Sequence, residues 1–317
     1  MSNYVVNNNG RKDDQGELSI VFLGRRCQFS TIPFQRLIDA GIRVTALFLA
    51  SNVPSAPAVR LRRSKPSITI LGGPGTSPTA SIEQIAGKHA IPVYDVRRPL
   101  KTEFAATLRE FTPDLLVSSC FPWRIPTFAR DEARLGGINL HPSLLPRFRG
   151  PDPLFWTYYY DEQRTGVTIH RLNDTFDAGT ILAQTAFDLP DEIAGDELEA
   201  LSATYGAELL VDVIAHLNSG KLNPEPQDEK RASYQSWPTD AHLIIDRNWP
   251  MQRVLNFVAG VIPLGYAPRV ATSNGTFVVG SARRARTTYE SDAECWSDES
   301  TVCVAFGDGR VEFTLEK

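Results

Sequence analysis

An amide, an imidazole and a carboxylate lie close enough along this chain to share one site. The stretch 136–150 reads GGINLHPSLLPRFRG, followed by TGVTIH at 165–170 and by Asp177, Ala178 and Gly179. Apolar residues lead into Asn139 and His141 with Leu140 between them, the pattern of a buried strand near its end. Side chains two apart on a strand share a face, so Asn139 and His141 are expected side by side. Pro142 and Pro146 remove backbone donors, so the strand stops there. Strand ends are where open α/β sheets carry their chemistry. Asp177, in a polar segment before the apolar run Thr180 to Ala183, can bring a carboxylate to the same mouth.

This set suits acyl transfer, which needs a donor for the oxyanion, a proton shuttle and a group that orients the shuttle. Ser143 is the nearest hydroxyl, but no Gly-x-Ser-x-Gly elbow surrounds it. Direct attack by an amine on a bound acyl donor therefore fits better than an acyl-enzyme. The same residues also have plainer readings. A histidine after an apolar run is often a satisfied core residue, and an aspartate before glycine is often a turn former. His141, His170 and Asp177 could be weighed as metal ligands, but their spacing is not tight. His170 is read as lining the cleft or packing.

The segments 138–150 and 165–184 resemble the signature of the folate-dependent formyltransferases. That group includes methionyl-tRNA formyltransferase, the sugar-nucleotide N-formyltransferases, glycinamide ribonucleotide formyltransferase and formyl domains of peptide synthetases. The resemblance runs from about Leu18 to Arg247 and weakens afterwards. It implies a catalytic trio at Asn139, His141 and Asp177, with 10-formyltetrahydrofolate as formyl donor and no metal. It also implies a pterin site near Phe121 to Pro126, Ile91 to Asp95 and the turn before Asp177. Tyr94, Phe121, Trp123, Ser143, Leu144, Leu145 and Pro146 are the contacts expected there, because a flat heterocycle favours apolar walls with polar groups at its edges.

The elements that must position these residues are legible from periodicity. Ser19 to Gly24 reads as a buried strand, Phe34 to Gly41 as a helix with a glycine stop, and Ile42 to Leu49 as a second strand. This βαβ opening predicts a doubly wound, mostly parallel α/β sheet. No Gly-x-Gly-x-x-Gly follows the first strand, so a dinucleotide is not expected. Residues 50–80, rich in Ser, Pro, Arg and Gly, read as a loop, and Gly72 to Gly75 as a turn within it. Helices are expected at 81–88 (N-capped by Ser81), 102–111, from Pro153 and at 198–217, with strands at 91–94 and 114–120. A linker or extended arm covers 221–246. Residues 247–317 are expected to form a small β-rich domain with a helix at 251–259 and strands at 276–279, 302–306 and 311–315. The last two flank the hairpin signal Gly307-Asp308-Gly309-Arg310. Relatives of this kind carry an OB-like barrel there; with so few strands the barrel is expected to be incomplete or atypical. The catalytic domain is placed at 18–220, with 1–17 as a disordered lead-in.

The chain has 317 residues, 42% apolar and 22% charged, and a formal charge of −4. That is the composition of an ordinary soluble protein, with no apolar run near the ~20 residues of a membrane span and no signal-peptide core. Cys27, Cys120, Cys295 and Cys303 are far apart in sequence, which argues against zinc or a disulfide framework and fits a reducing cytoplasm. Basic clusters at Arg60, Arg62, Arg63 and Lys65 and at Arg283, Arg284 and Arg286 read first as solvated surface.

Three features turn the expected acceptor away from tRNA. Pro142 follows His141 where tRNA enzymes of this group have Ala or Gly, Ile262 to Tyr266 replaces a Pro-Trp pair, and the acidic balance lacks a broad basic face. Gly150 to Trp156 resembles formyl domains that act on amino-acyl or amino-sugar acceptors. A small or carrier-linked primary amine is therefore the expected acceptor, with methionyl-tRNA as the alternative, its best support the Arg60–Lys65 loop. Neither DNA nor a membrane is expected as a partner. A formyltetrahydrofolate hydrolase and a non-catalytic folate binder are the competing classes; the first usually carries an N-terminal regulatory domain that has no room before Leu18.

Overall fold

The computed structural model describes residues 17–51, 62–63, 80–98, 100, 102–217, 221–285 and 294–316. The lead-in at 1–16, most of the 50–80 loop with Gly72 to Gly75, the Asn218 to Gly220 helix stop and Arg286 lie outside the described residues. Eight strands, β1 (Ile20–Gly24), β2 (Val44–Ala50), β3 (Arg62–Arg63), β4 (Val93–Val96), β5 (Leu115–Ser119), β6 (Gly137–His141), β7 (Arg164–Arg171) and β8 (Ile181–Asp188), form one sheet. Its order is β3-β4-β2-β1-β5-β6-β7-β8. The run β4-β2-β1-β5-β6 is parallel, while β3, β7 and β8 join antiparallel. β1 and β5 are buried at every residue because helices cover both faces, which is why they read as continuous apolar runs.

The helices are α1 (Gln28–Asp39), α2 (Ile82–Lys88), α3 (Thr102–Glu110), α4 (Thr127–Arg130), α5 (Pro153–Tyr159), α6 (Gly195–His216) and α7 (Met251–Val261). Ser81 caps α2 as expected, in a full capping box with Gln84. Helix α1 begins at Gln28, six residues before the expected Phe34, and runs through Pro33. Pro33 leaves the Phe29 carbonyl without its helical donor, and the Ser119 hydroxyl fills that gap at 2.5 Å. Ser30 Oγ donates in turn to Ser119 O at 2.7 Å. A helix start that looks broken in sequence is thus completed by the end of β5. Helix α6 backs β6: Gly206 lies where a Cβ would be 2.7 Å from a Leu140 methyl, so its lack of a side chain admits Leu140 behind the Asn139–His141 face.

Strands β9 (Arg269–Thr272), β10 (Gly275–Arg284), β11 (Glu294–Asp298), β12 (Thr301–Phe306) and β13 (Gly309–Leu315) form a second, antiparallel sheet of order β11-β12-β13-β10-β9. The order is linear, so among the described residues the sheet is open. β9 and β11 were not expected; they are short, and their polar residues show no alternation to read. Helix α7 joins the two sheets. Phe257, Val258 and Val261 share one core with Phe155, Trp156 and Tyr158 of α5 and with Val270, Val279 and Phe313 of the second sheet. The segment after α6, read as a linker or arm, lies against the large sheet: Glu225 bridges Ile181 and Tyr234 bridges Arg149.

Gly260 of α7 is where this joint is tightest. A Cβ there would lie 2.3 Å from the Tyr158 ring, which is 4% exposed and held by its hydroxyl on Ile193 O at 3.0 Å. Alanine gains up to about 1 kcal/mol of helix propensity, but overpacking against a fixed ring costs roughly 1–3 kcal/mol. Gly260→Ala is expected to lose about 1–2 kcal/mol net; an unchanged urea midpoint would contradict this packing.

Candidate active site

β6 ends as its sequence dictates. Register with β5 sets Ser118 beside Asn139, and the antiparallel register with β7 sets His170 opposite Asn139 and Thr168 opposite His141. Directly opposed residues share a face, so Asn139, His141 and His170 project together. Asn139 Nδ2 lies 3.2 Å from His170 Nε2. His170 Nδ1–H donates to Arg171 O at 2.9 Å, which makes Nε2 an acceptor and aims the amide's NH2 end at it. The second N–H of Asn139 remains for another acceptor.

The carboxylate arrives from the far side. β7 runs away from the end of β6, so the loop after Arg171 starts at the opposite edge and folds back over the sheet face. Gly179 makes this possible, since a Cβ there would lie 1.7 Å from Arg171 O. Asp177 adopts φ 54°, the left-handed region that aspartate tolerates better than most residues. Its Oδ2 accepts the Gly150 N–H at 2.9 Å, while Oδ1 lies 3.6 Å from His141 Nδ1 and 3.5 Å from His170 Nε2. His141 Nε2–H donates to Phe148 O at 2.9 Å, which leaves Nδ1 as the basic atom facing Asp177. A proton taken up at Nδ1 is therefore held between the ring and the carboxylate.

Electrostatics fit that division. Burial pushes His141 below its usual range and outweighs the upward pull of Asp177. Burial would raise Asp177, but His141, His170 and the Gly150 N–H together hold it down at about 2. At neutral pH the pair is a neutral imidazole beside a carboxylate. Both shifts destabilise the fold in acid. The His141 contribution is complete above its unfolded value near 6.5 and falls as pH drops through the lower folded value. The Asp177 contribution is complete above about 3.9 and is lost toward 2.

The remaining expected contacts divide. Phe121 and Trp123 follow β5, their rings 5.4 Å apart edge to face, with Phe121 buried and Trp123 half-buried. Tyr94 stacks on Phe48 at 4.9 Å and packs against Phe111, so its ring belongs to the core. Ser143 is fully buried and donates to Arg147 O; Leu145 is buried, with its N–H on Thr168 Oγ1 and its carbonyl receiving Gln184. Leu144 packs over Gly166, and Pro146 O accepts the Ser233 N–H. Residues 143–146 shape the loop that presents Phe148 O and Gly150 N–H, with Ser143 and Leu145 buried and Leu144 and Pro146 partly exposed. His170, read from sequence as lining the cleft or packing, faces Asn139 and Asp177. Gly150, the Phe148 carbonyl and Gln227 had no sequence signal. Cys27 and Cys120, distant in sequence, meet where α1 starts and β5 ends, and the hydrogen bond from Cys120 holds the Cys27 thiol at about 7. Among the described residues, no group of three or more His, Cys, Asp or Glu is placed to hold a metal ion, and no helix is long and apolar enough to cross a membrane.

Asp177 is the largest upward influence on His141. In Asp177→Asn the His141 ring is expected to titrate at lower pH than in the wild type when followed by NMR; an equal or higher value would contradict the arrangement.

Comparison with known proteins places the chain in a family. The chain is 30% identical over 243 residues to the methionyl-tRNA formyltransferase of Pelobacter propionicus, covering 77% of this chain and 71% of that protein. Its fold superposes on the N-formyltransferase from Helicobacter canadensis in complex with folinic acid and dTDP-3-aminofucose, with a TM-score of 0.63, 15% identity, and 93% and 99% of the two chains covered. It also superposes on HypX from Aquifex aeolicus in complex with tetrahydrofolic acid, with a TM-score of 0.61 and 15% identity. That match covers 94% of this chain but spans only 44% of the HypX chain. The profile of the formyl transferase family matches residues 18–214, from β1 through the Asn139 strand and the Asp177 loop into α6. The chain belongs to the formyl transferase family.

Proposed function

We propose that this chain catalyses N-formyl transfer from 10-formyltetrahydrofolate to a primary amine by direct attack, with Asn139, His141 and Asp177 as the catalytic residues. The observation that carries this reading is the orientation of two atoms. The Asn139 amide is turned by His170 so that one N–H is left over, and His141 Nδ1 is left basic by the Phe148 carbonyl. One is a donor for a carbonyl oxygen gaining charge, the other an acceptor for an amine proton. The donor set thus suits a formyl group next to an amine, and Trp123 at the end of β5 offers a half-exposed apolar wall for a heterocycle.

10-Formyltetrahydrofolate supplies the formyl carbon and leaves as tetrahydrofolate. The chain's residues handle oxygen and proton. Asn139 stabilises the developing oxyanion, a kind of interaction worth roughly 3–4 kcal/mol. His141 takes the amine proton at Nδ1 and returns it to the departing nitrogen. Asp177 stabilises the imidazolium meanwhile, and acid–base help of this kind contributes about 10²–10⁴-fold.

For the acceptor, the curated relatives support methionyl-tRNA: methionyl-tRNA formyltransferases match at 30% identity over three-quarters of the chain. That weighs against the small amine preferred from sequence, and methionyl-tRNA becomes the first reading. A small amine, such as an amino-sugar nucleotide, stays as the second because one basic cluster is already engaged. Arg283 pairs with Glu312 and Arg284 donates to Gln252, which leaves less free charge for a phosphate backbone.

The test is donor consumption by purified protein with methionyl-tRNA, amino-sugar nucleotides, simple amines or no acceptor. Consumption that requires methionyl-tRNA is expected, and Asn139→Ala should lower kcat about 10²–10³-fold with little change in donor KM. Equal consumption without any amine would make the protein a hydrolase, and none with any amine would make it a binder.

A further inference from the structure

The segment after α6 lies beyond the residues the family profile covers, which end at 214, yet it touches both loops that build the site. We infer that Gln227 is a positioning residue for formyl transfer, holding the backbone of Asp177 in its working conformation. The inference rests on the reading of Asp177 as the partner of His141.

All of Gln227's amide is engaged. Its Nε2 donates to Asp177 O at 2.7 Å and to Gly179 O at 2.7 Å. Its Oε1 accepts from Arg149 Nε at 3.0 Å and from a terminal nitrogen of the same guanidinium at 2.8 Å. Arg149 is 7% exposed, and its charge is met by Glu229 at 2.7 Å. The next residue, Gly150, holds the Asp177 side chain through Oδ2. One stretch, Arg149–Gly150, therefore tethers Asp177 twice: Gly150 directly by its carboxylate, Arg149 through Gln227 by its carbonyl.

The tether is needed because of what Asp177 is asked to do. Its φ of 54° lies in the left-handed region, which even aspartate keeps at a cost that its surroundings offset. Its neighbours Asp174 and Phe176 are exposed, so the loop has little burial of its own. Without the two Nε2 donors, the carbonyls of Asp177 and Gly179 lose their partner, and the carboxylate loses the frame that sets it 3.6 Å from His141 Nδ1. The backbone of the segment is fastened to the same stretch: Arg149 N–H donates to Ser233 O and Gln235 N–H to Arg149 O.

Gln227→Glu separates the two halves of the bridge. It keeps an acceptor for Arg149, now with full charge, and removes both donors to the Asp177 loop. Wild type, Gln227→Glu, Gln227→Ala and Asp177→Asn are compared by steady-state kinetics, thermal unfolding and NMR titration of His141. Both Gln227 variants are expected to lose about 10–100-fold in kcat with donor KM nearly unchanged, the loss expected from a misplaced catalytic group. His141 should titrate at lower pH in both, toward its value in Asp177→Asn. Should Gln227→Ala fail to fold, Gln227→Glu carries the test, since its Arg149 pairing is kept. Folded Gln227 variants with wild-type kcat overturn the inference, and so does a loss of kcat with the His141 titration unmoved, which would make Gln227 merely structural. Wild-type turnover in Asp177→Asn would instead overturn the role of Asp177 itself.

Discussion

Asp177 carries its charge where solvent reaches only 11% of its side chain, and a carboxylate so enclosed stays ionised only if nearby groups replace the water it has lost. The Gly150 N–H donates to it here, and two imidazoles stand within 3.6 Å, where either ring would hold a proton against it. Each is itself fixed by a partner elsewhere: His141 by the Phe148 carbonyl, His170 by the Arg171 carbonyl and Gly150 by the Arg149–Gln227 contact. Two backbone carbonyls thus set the proton positions on the two rings. Those positions in turn decide which way the Asn139 amide faces. At neutral pH the His141 ring is neutral beside the ionised acid.

The change of strand direction at β6 is what allows this. Five parallel strands bring the end of β6 to the rim of the sheet, and β7 then pairs antiparallel and runs away from it. An antiparallel pair sets side chains directly opposite one another, which is how His170 meets Asn139. It also sends the Asp177 loop out from the wrong edge. The return over the sheet face uses a close approach at Gly179, which has no room for a Cβ, and a left-handed aspartate at 177. Both sit beside the carboxylate they deliver, and both are braced by hydrogen bonds from outside the loop.

The joint between the sheets follows the same logic of close approach. Gly195 and Gly260 let α6 and α7 meet where a side chain would strike backbone or the Tyr158 ring. Tyr266, after α7, reaches the Asp152 carboxylate at the start of α5, close behind Gly150 in the chain. The second sheet is therefore not a remote appendage. It packs on α7, which packs in turn on α5, the helix after the loop that carries Phe148 and Gly150.

Local pattern alone determined a good deal. Continuous apolar runs marked β1, β2 and β5, the Ser81 N-cap marked α2, and alternation put Asn139 and His141 on one face, because these features depend on residues within a few positions of one another. The pairing of Asn139 with His170, the turn of Asp177 back over the sheet, the stacking of Tyr94 into the core and the clamp by Gln227 were decided only in three dimensions. So was the early start of α1, where the gap left by Pro33 is filled by Ser119. In each case the deciding partner is a backbone carbonyl or N–H, or a side chain from a strand brought alongside by sheet order. Backbone groups are the same at every position, so no sequence pattern names which of them will be left free to bind.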